Sequence, residues 1–321
     1  MNCTIAIPVF NRASLIRTAV NSALAQKLPD SEILVVDNAS TDETWQVLQS
    51  FSDNRLRLVR NSKNLGLFGN FNRCLELARG KYIRILCSDD KLAVDCVASE
   101  INEMERHPDA VLLSTYGRRV DEQGREIGKF ANYLPAGLYD GEEAIRKILL
   151  FLSFYGYNPL NYPSGILFSR EAAMRTGQFD PGMKMCGDVD FFLRMLEHGL
   201  FLEKSTFGCD IVIHNGQAGK ESSRVAAIID EQLQLIDRYQ KHFSTAEILK
   251  MKNQLAAISM GLTLRYCNTS EQRRRAWAVG SSKAAVAISI VRLLALRILL
   301  KVCGWSILDR KIEGIHVRKE Q

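Results

Sequence analysis

A chain of 321 residues, 46% of them hydrophobic, can bury one large core, or one core with a small helical appendage. Its eight cysteines lie at irregular positions without a Cys-x-x-Cys pair, and we expect no signal peptide. The composition therefore excludes a zinc ribbon and a disulfide-stapled secreted domain, and it favours a cytoplasmic protein with reduced thiols.

The basic excess of the chain is confined to its tail. Residues 1–261 carry 30 Lys and Arg against 32 Asp and Glu, whereas residues 262–321 carry 12 against 4. Aromatic residues are not interleaved with these charges and no nucleic-acid motif accompanies them, so we expect no nucleic-acid partner. An anionic membrane surface fits the tail better.

The first ninety residues alternate apolar runs typical of strands with stretches typical of helices. We predict strands over residues 4–12 (with Pro8 opening a loop), 32–36, 56–59 and 82–86, and helices over 14–26, after Ser40, and over 72–78. Ser40 with Glu43 predicts a capping box for the second helix, and Gly80 is predicted as the residue just past the third. Repeated alternation of strand and helix predicts a parallel sheet covered on both faces.

Two adjacent carboxylates, Asp89 and Asp90, follow the fourth predicted strand. Ligands bind beyond the carboxyl ends of strands in open α/β sheets. Because neighbouring like charges repel unless a cation or a donor neutralises them, a divalent metal holding a diphosphate is the natural occupant. The alternative for this pair is an ordinary turn or helix cap.

Five motifs occur in an order and spacing that resemble the nucleotide-sugar half of family 2 glycosyltransferases with the GT-A fold. They are Ile7-Pro8-Val9-Phe10-Asn11-Arg12, Val35-Val36-Asp37-Asn38-Ala39-Ser40-Thr41-Asp42, residues 61–72, Arg79-Gly80-Lys81-Tyr82-Ile83 and Ser88-Asp89-Asp90. The likeness is dense over residues 1–95, thinner over 164–214 and absent beyond about 225.

The resemblance implies an α/β fold of the GT-A type: a Rossmann-like, mostly parallel sheet with helices on both faces and a C-terminal helical appendage. We expect a catalytic domain over residues 1–224, with a nucleotide-sugar half (1–95) and an acceptor half (96–224). Residues 225–321 form the helical region.

On the donor side, the resemblance implies that Asp37 accepts a hydrogen bond from the imide of a pyrimidine. The competing role for Asp37 is a helix cap, but the predicted Ser40 capping box already fills that role. For Arg12 a plain surface position stays open, and for Asn64 and Gly66 a plain polar turn. The other residues implied to bind the nucleotide are Pro8, Val9, Asn11, Arg12, Asn64, Gly66, Ser88 and Asp89.

The resemblance also implies a metal site for Mg²⁺ or Mn²⁺ made of Asp89, Asp90 and His214. Two positions depart from the family pattern, since Cys87 replaces the first acid of the acidic motif and Val212 replaces an arginine before the histidine. Cys87 puts recognition of the ribose in doubt, and a purely structural role for His214 stays open.

On the acceptor side, Asp188 matches the catalytic base of the family, although Gly187 replaces the glutamate that usually precedes it. A base at this position would take the proton of the acceptor hydroxyl. The alternative is that Asp188 only caps its helix. Asp190 and Arg194 are four residues apart and predict a pair on one helix face. Residues 215–223, rich in Gly and Ser, predict a flap over the acceptor.

Three helices are predicted in the tail, over residues 225–243, 244–265 and 270–301, and Ser244 with Glu247 predicts a capping box for the second. Residues 284–300 are strongly apolar but interrupted by Arg292 and Arg297, and Trp277 and Trp305 bracket this run. An in-plane membrane helix is one interpretation. Docking on the catalytic domain or on a second subunit, as a homo-oligomer, is the other.

Together these expectations describe a metal-dependent inverting glycosyltransferase that acts in the cytoplasm or on the inner face of the cytoplasmic membrane. It would use a nucleotide-diphosphate sugar, with UDP- or dTDP-sugars favoured, and a glycan or lipid-linked glycan acceptor. The rivals are a non-catalytic nucleotide-sugar-binding subunit and a sugar-nucleotide pyrophosphorylase. A dinucleotide dehydrogenase is disfavoured because no Gly-x-Gly-x-x-Gly follows a strand.

Overall fold

The computed structural model describes residues 1–129, 134–156, 158–160, 162–214 and 222–266. Within these residues ten strands form one sheet. The strands are β1 (Cys3–Val9), β2 (Ser31–Asp37), β3 (Leu56–Arg60), β4 (Tyr82–Ile85), β5 (Lys91–Leu92), β6 (Ala110–Val120), β7 (Glu126–Lys129), β8 (Gly137–Tyr139), β9 (Ile166–Ser169) and β10 (Leu200–Val212). The helices are α1 (Ile16–Leu24), α2 (Thr44–Gln49), α3 (Leu67–Leu77), α4 (Cys96–Arg106), α5 (Gly141–Tyr155), α6 (Arg170–Thr176), α7 (Gly187–Leu196), α8 (Ser222–Arg238) and α9 (Thr245–Tyr266).

The sheet has the order β3-β2-β1-β4-β9-β6-β10-β5, with β7 beside β6 and β8 beside β10. The first four strands in that order are parallel. β9 runs antiparallel to β4 and to β6, and β6 is parallel to β10. The four predicted strands are thus confirmed as one parallel block, and the antiparallel strands belong to the later part of the chain.

Alternation along the strands explains why helices cover both faces of the sheet. Ile5 and Ile7 point into one core, with helices α1, α2 and α4, whereas Ala6 points into the other, with α3, α5, α6 and α7. Successive side chains of a strand point to opposite faces, so a strand that is apolar throughout needs a helical layer on each side. The predicted α/β fold with two helical layers is confirmed.

Gly80 has a different role from the one predicted. Helix α3 ends at Leu77, and Gly80 has no positive φ. A Cβ atom at Gly80 would lie 2.4 Å from the backbone of Cys3 and of Thr4. Glycine is therefore required here because β1 passes close by, and the prediction of a helix-ending glycine was wrong.

The tail begins inside helix α8, which spans the predicted division at residue 225. Leu235 on α8 and Tyr239 just after it are buried in the same core as α5 and α7. Ser244 and Glu247 form the predicted capping box at the start of α9: the Ser244 N–H donates to Glu247 Oε2 at 2.8 Å, and the Glu247 N–H donates to Ser244 Oγ at 3.3 Å.

The third helix predicted in the tail, over 270–301, and the segment 277–305 lie outside the described residues. So does most of the predicted flap, at residues 215–221. Among the helices that the structure describes, none is both long and apolar enough to cross a membrane.

Candidate active site

One cleft lies at the carboxyl ends of β1, β2 and β4, where the parallel block meets the later part of the chain, and its volume is about 660 Å³. The cleft brings together nine of the residues predicted for the site. They are Pro8, Val9, Arg12, Asn64, Gly66, Ser88, Asp89, Asp90 and Asp188. Three other predicted residues, Asn11, Asp37 and His214, do not line the cleft.

Asn11 connects the loop after β1 to the loop after β2. It adopts a positive φ of 50°, its N–H donates to Ser40 Oγ at 2.9 Å, and its Oδ1 accepts from the Thr41 N–H at 2.8 Å. Asparagine tolerates this left-handed conformation better than most residues. Asn11 thus fixes the shape of the donor-side loop from outside the cleft.

Ser40 does not form the predicted capping box. Its hydroxyl donates to Asp37 Oδ1, and helix α2 begins one turn later than expected, at Thr44. Asp42 takes over the capping role, because its Oδ1 accepts from the Thr44 N–H at 3.0 Å. The argument that Ser40 leaves Asp37 free was therefore wrong.

Asp37 is fully buried at the end of β2. Its Oδ1 accepts from the N–H and the hydroxyl of Ser40, and its Oδ2 lies 3.0 Å from Arg60 Nε. The Arg60 contact has the distance of an ion pair, but its direction does not make a hydrogen bond, so Oδ2 is a buried oxygen without one. A base N–H that reached Oδ2 would satisfy that oxygen.

The loop between β3 and α3 is held by Asn38, a residue that the sequence did not single out. Asn38 Nδ2 donates to Asn64 Oδ1 at 2.8 Å, and Asn38 Oδ1 accepts from the Leu65 N–H at 2.9 Å. Gly66 has a φ of 78°, and a Cβ atom there would meet nothing within 4 Å. Gly66 thus adopts a positive φ that suits glycine, and the backbone beside it is open to a ligand.

The acidic loop after β4 separates its two carboxylates. Asp89 Oδ2 lies 2.9 Å from His214 Nε2 and 3.8 Å from Arg12 Nε. Asp90 is buried, and its oxygens accept from Ser164 Oγ at 2.6 Å and from the Val212 N–H at 3.1 Å. Burial first, and then the charge of Asp89, raise the pKa of Asp90 well above its ordinary value.

The side chains of Asp89 and His214 provide only some of the ligands that a divalent cation needs. Asp89 and His214 present an oxygen and a nitrogen close enough to share one ion, and magnesium sites commonly combine one or two carboxylates with substrate phosphates. Among the described residues there is no cluster of three or more Asp, Glu, His or Cys side chains arranged for a metal. A cation here would depend on the oxygens of a bound diphosphate.

Ser164 organises the acidic loop, although the sequence gave no sign of this role. Its hydroxyl accepts from the Cys87 N–H at 2.9 Å while donating to Asp90. Burial, followed by the charges of Asp90 and Asp89, raises the pKa of the Cys87 thiol well above its usual range. Cys87 therefore stays a neutral thiol at physiological pH and offers no charged ligand.

Asp188 lies in the first turn of α7. Its Oδ2 accepts from Asn158 Nδ2 at 3.3 Å and its Oδ1 from the Val189 N–H at 2.9 Å. Burial raises the pKa of Asp188 to about 6. A carboxylate with a pKa close to neutrality is suited to accept a proton and release it again.

Asp190 does not line the cleft. It is fully buried and its Oδ2 accepts from Arg194 Nε at 2.9 Å, which confirms the predicted pair on one helix face. Arg238 on α8 donates to the other oxygen of Asp190. With two guanidinium partners, Asp190 is a structural anchor of α7.

The family is shown by its sequence match. The family model for Glycosyl transferase family 2 matches residues 4–177, more than half of the chain. The chain belongs to this family, as the five motifs predicted.

Two relatives of the chain are named as a glycan synthase and a glycosyltransferase. The chain is 28% identical over 213 residues to a chondroitin synthase of Escherichia coli, covering 66% of this chain and 29% of that protein. It is 34% identical over 102 residues to WfaP of Escherichia coli, named UDP-Glc:alpha-D-GlcNAc-diphosphoundecaprenol beta-1,3-glucosyltransferase, covering 32% and 41%. The chain thus spans less than half the length of either relative.

Solved structures confirm the fold. TarS of S. aureus (residues 1–349) in complex with UDP-GlcNAc superposes with a TM-score of 0.62 at 16% identity, covering 87% of this chain and 79% of that one. The mannosyltransferase PcManGT of Pyrobaculum calidifontis, in complex with GDP-Man and Mn2+, gives a TM-score of 0.56 at 18% identity, covering 92% and 80%.

Proposed function

We propose that this protein transfers a glycosyl unit from a nucleotide-diphosphate sugar to a hydroxyl group of a glycan acceptor, with inversion at the anomeric carbon. The observation that carries this proposal is that Asp188 lines the same cleft as Asp89 at the carboxyl ends of the parallel strands. A remote Asp188 would have favoured a non-catalytic binding subunit. Family membership supports the transferase class.

The donor binds along the ends of β1, β2 and β4. Pro8 and Val9 offer backbone groups to the nucleotide, and Asn64 and Gly66 form the loop beside it. Asp37 receives the imide N–H of a pyrimidine base at its Oδ2, the oxygen without a hydrogen bond. UDP- and dTDP-sugars are accordingly the favoured donors.

Asp89 and His214 are the residues that would hold Mg²⁺ or Mn²⁺, and Asp90, whose oxygens accept from Ser164 and Val212, holds the loop beside them. When bound, the cation supplies positive charge that stabilises the leaving diphosphate. Arg12, 3.8 Å from Asp89, adds a fixed positive charge on the same side of the cleft. The manganese complex of PcManGT, a protein with this fold, supports the assignment.

Asp188 takes the proton of the acceptor hydroxyl as its oxygen attacks the anomeric carbon. The new bond joins that oxygen to the anomeric carbon, the bond from the carbon to the diphosphate oxygen breaks, and the nucleoside diphosphate leaves with the electron pair. A single displacement of this kind inverts the anomeric configuration. Asn158 holds the carboxylate in place through its 3.3 Å hydrogen bond.

The acceptor is a growing surface glycan carried on a lipid. The name of WfaP, which includes a diphosphoundecaprenol acceptor, supports this assignment, as does the basic tail of the chain. Action at the inner face of the cytoplasmic membrane, with residues 277–305 as the contact, follows from the same reasoning.

Binding calorimetry with UDP-, dTDP- and GDP-sugars, in Mg²⁺, Mn²⁺ or chelator, tests the donor assignment. We expect a pyrimidine donor to bind with a divalent cation and to lose most of its affinity in chelator. Asp89→Asn and Asp90→Asn should reduce the gain in donor affinity that the divalent cation gives. Asp188→Asn serves as the control and should bind the donor with the affinity of the parent. Equal binding with and without chelator would contradict the metal assignment.

A further inference from the structure

Helix α8 places one carboxylate under the loop that leads into α7. Glu231 is buried, and its Oε1 accepts from the Lys184 N–H at 2.6 Å. Its Oε2 accepts from the N–H groups of Met185 at 2.9 Å and of Cys186 at 2.7 Å. Three consecutive backbone donors thus converge on a single side chain, and α7 begins at the next residue.

The same helix holds α7 at two further points. Cys186 Sγ lies 3.9 Å from the Ile228 carbonyl oxygen, the distance of a weak hydrogen bond, and Arg238 donates to Asp190. These contacts fall on both sides of Asp188 in the sequence. The backbone before and after Asp188 is therefore fixed by α8.

The chemistry of the contact suits an anionic group. Successive backbone N–H groups pointing to one spot form a concave anion-binding site, and the N-terminal end of α7 adds a partial positive charge. The N-cap residue Cys186 makes no side-chain hydrogen bond to the first turn of α7, but its own N–H donates to Glu231, which fixes the residue from which the helix starts. A carboxylate can accept all three bonds, whereas a carboxamide has one acceptor oxygen.

Glu231 also acts on Asp188 through charge. Burial is the main reason that the pKa of Asp188 is raised, and the charge of Glu231 raises it further. The other titratable groups that face Asp188 are Cys186 on the same loop, Cys87 beside the acidic loop and Tyr162, and burial raises the pKa of each of the three. Exposed Lys184 and neutral Asn158 complete the surroundings. Glu231 is thus the group of α8 whose charge acts on Asp188.

We propose that Glu231 is a positioning residue for Asp188: its carboxylate fixes the backbone of residues 184–186 so that α7 presents Asp188 to the acceptor hydroxyl. This inference rests on the proposed function of Asp188 as the base. It places part of the catalytic apparatus in α8, beyond the division predicted at residue 225.

Two variants of the full chain separate positioning from charge. Glu231→Gln removes the charge and at least one of the three hydrogen bonds, because one acceptor oxygen replaces two. Glu231→Asp keeps the charge but shortens the side chain. Asp230→Asn is the matched control, because it removes a carboxylate from an exposed neighbouring position of α8. The measurements are hydrogen exchange of residues 184–188, donor affinity, and the pH profile of donor hydrolysis, in which water replaces the acceptor.

For Glu231→Gln we expect faster hydrogen exchange of residues 184–188 and unchanged donor affinity. We also expect kcat to fall by about 10²-fold. The acidic limb of the pH profile should move to lower pH. Removing a negative charge lowers the pKa of Asp188, so its basic form persists to lower pH. For Glu231→Asp we expect a lower kcat with the acidic limb where the parent has it. Asp230→Asn should match the parent in every measurement.

An unchanged exchange rate at residues 184–188 in Glu231→Gln would overturn the proposal. So would a fall in kcat without movement of the acidic limb, or a loss of donor affinity as large as the loss of kcat, since either indicates general destabilisation. If no donor supports turnover by the parent, the proposed function is wrong. The exchange rates and a ¹³C titration of the Asp188 carboxyl, compared between the parent and Glu231→Gln, then still decide the role of Glu231.

Discussion

The donor side and the acceptor side of the cleft are built in different ways. On the donor side, the lining follows directly from the strands, with Pro8 and Val9 in β1 and Ser88 and Asp89 just after β4. On the acceptor side, the groups around Asp188 come from remote parts of the chain: Asn158 lies 30 residues away and Glu231 45 to 47 residues from its partners.

This difference has a physical cause. Parallel strands bring their carboxyl ends to one edge whatever the side chains beyond them, so backbone hydrogen bonds place the strand ends of the donor side. Side chains such as Asn38 and Ser164 then hold the loops beyond those ends. The acceptor-side geometry depends on a few side-chain contacts between helices. Substitutions on the acceptor side should therefore affect turnover selectively, whereas substitutions on the donor side should affect binding of the nucleotide.

The largest expected effect concerns Asp188. Asp188→Asn keeps a polar side chain but cannot take a proton, so turnover should fall by about 10² to 10⁴-fold while donor affinity stays at the parent value. Single-turnover kinetics and calorimetry measure the two quantities separately. Turnover near the parent rate would show that Asp188 is not the base.

The pH dependence of the parent should agree with that assignment. Because the pKa of Asp188 is about 6, the basic form dominates above pH 6, and turnover should fall as the pH drops through this value. A rate that stays constant from pH 7.5 to about 4.5 would show that no group with this pKa is required.

The second largest effect is expected on stability, at a buried ion pair between the donor side and the acceptor side. Arg84 on β4 is fully buried and pairs with Glu100 on α4, with Nε and Oε2 2.8 Å apart, and it also donates to the Ser164 carbonyl. Arg84→Met leaves Glu100 charged and buried, which should lower the free energy of unfolding by about 3 to 5 kcal/mol in urea denaturation.

The double variant Arg84→Met with Glu100→Leu is the control for this pair. Removing both charges should recover much of the lost stability, because no unpaired charge remains. If the double variant is as unstable as the single one, the loss comes from packing around Ser164 and not from the charge.

Whether a side-chain interaction could be predicted from the sequence depends largely on how far apart its two residues lie along the chain. Interactions within four residues were predicted correctly for Ser244 with Glu247 and for Asp190 with Arg194. The same local rule failed at Ser40, because its hydroxyl finds a buried acceptor in Asp37 before the helix begins. Asp37 is itself only three residues from Ser40, so the capping-box rule failed here because it does not weigh a second nearby partner.

Contacts between remote residues gave no signal in the sequence. Ser164 reaches Asp90 across 74 residues, and Glu231 is one of three acids on the amphipathic helix α8. The parallel strands and the acidic loop at their carboxyl ends were predictable because strand and helix alternate along the chain and the carboxyl ends of parallel strands meet at one edge of the sheet. The support around Asp188 was not, since it depends on how helices pack.

The third prediction tests the donor side through Asp37. Asp37→Ala should weaken binding of UDP by about 1 to 3 kcal/mol, because the base N–H would lose its buried partner. Binding of GDP, measured beside it by calorimetry, should change much less. Because Asp37 also holds Ser40, the unfolding free energy is measured in parallel, and equal affinity of the parent for purine and pyrimidine donors would contradict the assignment.

The smallest effect is expected far from the cleft, at Ser244, and it separates local from remote control of the site. Ser244→Ala removes the hydroxyl that accepts from the Glu247 N–H and should lower the unfolding free energy by about 1 kcal/mol, while Ser244→Thr should keep most of the stability. Glu247 also contacts Arg146 on α5, so the cap joins α9 to the layer that supports α7. If the acceptor side is fixed by α8 alone, turnover of Ser244→Ala should equal that of the parent. A loss of turnover greater than the loss of stability would show that α9 also controls the position of Asp188.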